Sequence, residues 1–102
     1  MADFISISGT ASDGSQNKFN LTVMTDGSGL WQAGEPGGTS NVFATKAGVW
    51  MRAVNITTLF KNDATTRVAQ LTPLVPETAK PNDQGQGHNF ETAVDFSWTV
   101  LA

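Results

Sequence analysis

From Lys18 to Thr25 the chain alternates between polar and apolar positions. Phe19, Leu21 and Val23 fall on one face, and Lys18, Asn20, Thr22 and Met24 on the other. A side-chain period of two is that of a β-strand with one face toward a core. Asp13-Gly14-Ser15 precedes the segment and Asp26-Gly27-Ser28 follows it. Asp-Gly supplies the backbone of a tight turn, so these triplets mark the ends of the strand. Their flanks do not match, so they are two turns and not an internal repeat.

The same reading extends along the chain. Residues 4–11 alternate around Ile5 and Ile7 and form a first strand. Residues 27–40 hold five of the ten glycines together with Pro36, which predicts a long surface loop. Residues 41–45 are a candidate short strand. Residues 48–59, rich in Val, Ile and Thr, read as one long strand. Asn62-Asp63 is a turn, and 65–71 is a further strand. Pro73, Pro76 and Pro81 make 72–88 loop or edge, because proline cannot donate to a ladder. Residues 82–89 form a second polar, glycine-bearing loop within that region. The last strand, 90–101, places Phe90, Thr92, Val94, Phe96, Trp98 and Val100 on one face.

Six to eight strands and no convincing helix predict an all-β antiparallel fold. The expected form is a single two-sheet β-sandwich domain over residues 1–102, jelly-roll-like or immunoglobulin-like, with a barrel as the alternative. The Cys-Trp-Cys signature of true immunoglobulin domains is absent. The expected core joins Phe19, Leu21, Val23, Trp50 or Met51, Val94, Phe96 and Trp98.

Composition narrows the function classes. The chain has 102 residues, 39 % hydrophobic and 15 % charged, with net charge −3 and no cysteine. Disulfides, thiolate metal sites and a cysteine nucleophile are excluded. Lys18, Lys46, Arg52, Lys61, Arg67 and Lys80 are scattered, whereas phosphate affinity needs clustered cations, so nucleic acid is not the expected partner. No apolar run has the ~20 residues of a membrane-spanning helix. The first residues lack the basic and apolar regions of a signal peptide. This points to a cytoplasmic protein, or one exported without a cleaved signal peptide. The sequons at Asn20 and Asn55 lie in predicted strands and read as chance.

Catalytic motifs are lacking. Gly-x-Ser-x-Gly is absent, and His88 is the lone histidine. No general acid–base pair is visible, so an enzyme is not expected, nor a cofactor. Asp13, Asp26, Asp63 and Asp83 could offer oxygen ligands to calcium, but turn chemistry alone explains them and no metal site is assigned. Gly27-Ser28-Gly29-Leu30-Trp31-Gln32 opens like a phosphate loop but ends in Gln and lacks the strand–loop–helix context.

Trp31 stands apart, in the glycine-rich stretch beside Gln32 and Glu35. A flat sugar face stacks on an aromatic ring while amides and carboxylates take the hydroxyls. The first expectation is therefore a lectin-like, non-enzymatic module with a glycan ligand. Trp31 would stack, and Gln32, Glu35, Asn82, Asp83, His88 and Asn89 would form the polar shell. This requires the 27–40 and 82–89 loops to meet. The alternative is a structural or self-assembling subunit of a capsid, tail or particle. Long strands and sparse charge suit such packing, and a symmetric homo-oligomer is expected in either case.

Overall fold

The computed structural model describes residues 4–14, 17–34 and 42–101. Eight strands follow in chain order: β1 (Phe4–Ala11), β2 (Lys18–Met24), β3 (Leu30–Ala33), β4 (Ala47–Ala53), β5 (Ile56–Phe60), β6 (Arg67–Thr72), β7 (Gln84–Asn89) and β8 (Val94–Val100). Each pairs antiparallel with the next, and β8 pairs with β1 to close a barrel. The all-β antiparallel class holds. The architecture is one closed sheet, the barrel alternative, in place of two facing sheets.

Closure puts one face of every strand into a shared interior. Ile7, Phe19, Leu21, Val23, Trp31, Leu59, Leu71, Phe96 and Trp98 are all buried there. The expected core is largely realised. Trp50 and Val94 are half-buried against it, whereas Met51 is exposed on the outer wall.

An eight-stranded barrel is narrow, so its interior must be filled by side chains of matched size. Here four inward glycines are the register partners of inward aromatics. Gly9 lies opposite Phe19 and Trp98, Gly48 opposite Trp31, Gly85 opposite Trp98, and Gly87 opposite Phe96. A Cβ on any of the four would fall less than 3.0 Å from a neighbouring atom. The large rings occupy the space that the glycines vacate.

Both ends are plugged. At one end Phe43, from the connection between β3 and β4, packs edge-on against Phe19 and Phe96, with centroids 5.1 and 5.8 Å away. The Glu91 carboxylate holds that connection, accepting from the Ala44 and Thr45 amides and from Thr45 Oγ1 at 2.7 Å. At the other end Leu74 is buried, its carbonyl accepting from Thr57 Oγ1 at 2.9 Å.

Several elements differ from expectation. Residues 30–33 of the anticipated loop form β3. The run 48–59 divides at a turn, where exposed Val54 takes φ of 59°. Residues 84–89 of the proline-bounded loop form β7, and 90–93 turn before β8 begins. Residues 42–46 carry no strand, and Asn41 lies outside the described residues. The β5–β6 turn is fixed by Asp63. Its carboxylate accepts from the Thr65 and Thr66 amides and from Thr66 Oγ1. These bonds, the Thr65 amide foremost, hold its carboxyl far below the usual carboxylate range.

Candidate ligand-binding wall

The filled lumen leaves the outer wall as the place for a ligand. That wall has two characters. Across β6, β7 and β8 and the adjoining parts of β1 and β2 most outward positions are hydrogen-bonding groups. Gln70, His88 and Asp95 stand in register as one row. Thr72, Gln86, Ser97, Thr10 and, at its end, Lys18 form the next. Gln84, Thr99, Ser8 and Asn20 form a third. Two of these rows share a shallow open groove of about 410 Å³, lined by Gln70, Thr72, Pro73, Gln86, His88, Asp95 and the β7 glycines.

The alternation that builds the interior also builds the groove. Gly85 and Gly87 point inward beneath Trp98 and Phe96, so Gln84, Gln86 and His88 must point outward. The Trp98 indole N–H donates to Gln86 O at 2.9 Å and ties β7 to β8 under the groove. His88 Nδ1 lies 2.7 Å from Asp95 Oδ1. A carboxylate can only accept, so Nδ1 carries the proton of the neutral ring and Nε2 is its acceptor. The imidazole edge packs on Phe90, with centroids 5.0 Å apart, and the Arg67 guanidinium lies over the Phe90 ring at 4.4 Å. The cluster combines an oriented acceptor, a carboxylate, two amides and a hydroxyl beside an aromatic–cation stack. Such a set can exchange hydrogen bonds with a polyhydroxylated molecule.

The described residues among those singled out from sequence do not form one site. Trp31 is 1 % exposed and belongs to the interior, where its indole N–H donates to Phe60 O at 2.9 Å. It sits on a strand opposite a glycine and so points into the lumen, unavailable for stacking. Gln32 is exposed on β3, in register with Thr22 and Ala47 on the opposite character of wall. Glu35 lies outside the described residues. Asn82 and Asp83 precede β7 and shape a turn at the Leu74 end. The Asp83 carboxylate accepts from the Lys80 amide, and the Asn82 amide N–H donates to Val100 O. Asn89, at the far end of β7, is fully buried. Its amide donates to Val42 O and its carbonyl accepts from the Glu91 and Thr92 amides, so it stitches the Phe43 plug in place. Of the six that are described, His88 alone lies in the groove. Gln70, Gln86 and Asp95 were missed because their neighbourhood exists only across strands; the alternation Gln84-Gly85-Gln86-Gly87 was the one signal available.

Among the described residues, no group of three or more His, Cys, Asp or Glu is placed to hold a metal ion. No helix of the described residues is long and apolar enough to cross a membrane. No family model matches the chain, and neither a curated protein nor a solved structure shows significant similarity to it.

Proposed function

We propose that the chain is a non-enzymatic carbohydrate-binding module whose site is the outer-wall groove on β6, β7 and β8. The observation that carries this reading is the cross-strand row Gln70, His88 and Asp95 beside Thr72 and Gln86. Sugar hydroxyls both donate and accept, so they are best met by groups that offer both at fixed positions. Glutamine amides do so, and the Asp95-oriented imidazole adds an acceptor. Sparse cations argue against phosphate or nucleic acid at the same place. The groove is open and shallow, which fits the end or edge of a glycan and weak affinity per site.

The test is a glycan array followed by calorimetric titration of the best glycan. Wild type is expected to retain at least one neutral glycan. His88→Ala and Gln86→Ala should each weaken it by about 3–10-fold, the effect of one hydrogen bond of ~0.5–1.5 kcal/mol. Both side chains are on the surface, so thermal midpoints should barely move. An array on which wild type binds nothing, or variants that bind as well as wild type, would refute the reading.

A further inference from the structure

Elsewhere on the outer wall an apolar row crosses from the Phe4 end of β1 to β5. Phe4 lies in register with Met24, Leu30 with Val49, and Val49 with Phe60. Met24 and Leu30 are the next positions along the β2–β3 pairing that matches Val23 to Trp31. All five side chains point away from the lumen, because Ile5, Val23, Trp31, Gly48 and Leu59 beside them point into it. Phe4 is 42 % exposed, Leu30 46 %, and Met51, one position further along β4, 49 %. Beside this row runs a groove of about 330 Å³ lined by Thr22, Met24, Leu30, Gln32, Ala47 and Asn62.

We propose that this wall is the interface of a homodimer, in which a second copy seats its Leu30 in the groove beside Leu30 of the first. The inference is independent of the carbohydrate reading, which uses the opposite wall. Three observations select a second copy as the occupant. The knob and the hole are neighbours on one face, so a two-fold axis through that face satisfies both at once, as an isologous contact requires. No charged side chain belongs to the row or to the groove lining. Two copies of a chain with net charge −3 therefore meet here without desolvating or opposing like charges. The barrel is closed and offers no strand edge for pairing, which leaves contact between side-chain faces. Met24 and Met51 give such a face unbranched side chains that can repack.

The size of the wall sets the expected strength. Strands β2 to β5 span three spacings of ~4.8 Å, and seven residues rise ~23 Å, giving roughly 300 Å² in projection. That is less than the ~800 Å² per partner of a standard interface, so the contact belongs to the weak, transient class and the dimer should dissociate on dilution.

Sedimentation velocity over about 10 μM to about 1 mM tests this. The expected result is a mass that rises from monomer toward dimer with concentration. Leu30→Glu should hold the protein at monomer mass throughout, with an unchanged far-UV spectrum. Ala47→Arg, which fills the groove from an exposed position, is the second variant should Leu30→Glu misfold, and it should do the same. Amide shifts that depend on concentration should fall on β2 to β5. A wild type that stays monomeric across the series, folded variants that dimerise as wild type does, or shifts confined to β6 to β8 would overturn the inference. A monomer that still binds glycan refutes this interface alone, and a dimer that binds none refutes the carbohydrate reading alone.

Discussion

Gly87 illustrates how far a single position depends on its neighbour across the sheet. A Cβ there would lie 2.3 Å from Gln70 O and 2.5 Å from the Phe96 ring. Backbone cannot give way as a flexible side chain can. Gly87→Ala should therefore destabilise the barrel by about 1–3 kcal/mol through overpacking. The entropic gain of removing a glycine, ~0.4–1 kcal/mol, does not offset that. Chemical denaturation measures the difference, and an alanine variant as stable as wild type would contradict the packing described. The same residue explains a misreading. In Gln84-Gly85-Gln86-Gly87 the interior positions carry no side chain, so no apolar alternation is visible and the stretch looks like a loop. The apolar half of the pattern stands on β8, as Phe96 and Trp98. Trp31 misleads for a related reason: its glycine-rich surroundings suggest a loop, but Gly48, on the facing strand, is what gives the ring its room.

Among the elements, the connection between β3 and β4 contributes more than a crossing. Phe43 closes one end of the barrel and touches three interior rings, Phe19, Phe96 and Trp31. Phe43→Ala should cost about 3–5 kcal/mol, the usual range for a buried aromatic, and a domain of this size has little more to lose. A thermal melt reads it directly; a midpoint within a degree or two of wild type would show the plug to be ornamental. Strand β2 was legible because one face is apolar and the other polar. The hairpin of β4 and β5 was not. Val49, Met51 and Phe60 make its outer face apolar as well, which erases the period, and its turn at Val54-Asn55 carries no glycine. The feature that hid the hairpin is the one that marks the apolar wall.

For the molecule as a whole, the class of fold was readable from alternation and turns, whereas closure was not. Sandwich and barrel use the same strands. The difference lies in whether β8 finds β1, and that pairing, Ile7 with Val100 and Ala11 with Phe96, joins segments with no local signal between them. The candidate groove was legible only as His88, since its other members meet across three strands. Closure has one further consequence. In a ring of eight neighbours, every pairing but β8–β1 joins strands consecutive in sequence. The strand starting at Phe4 and the one finishing at Val100 reach the same end of the barrel. A short flexible linker from Leu101 to Phe4, with the chain opened at Gly14, would turn the β8–β1 seam into an ordinary hairpin and make β1–β2 the new seam. Gly14 has open space around it, and exposed turns tolerate such cuts. The permuted chain should give the far-UV spectrum and the single cooperative melt of the original, because every pairing in the ring is kept.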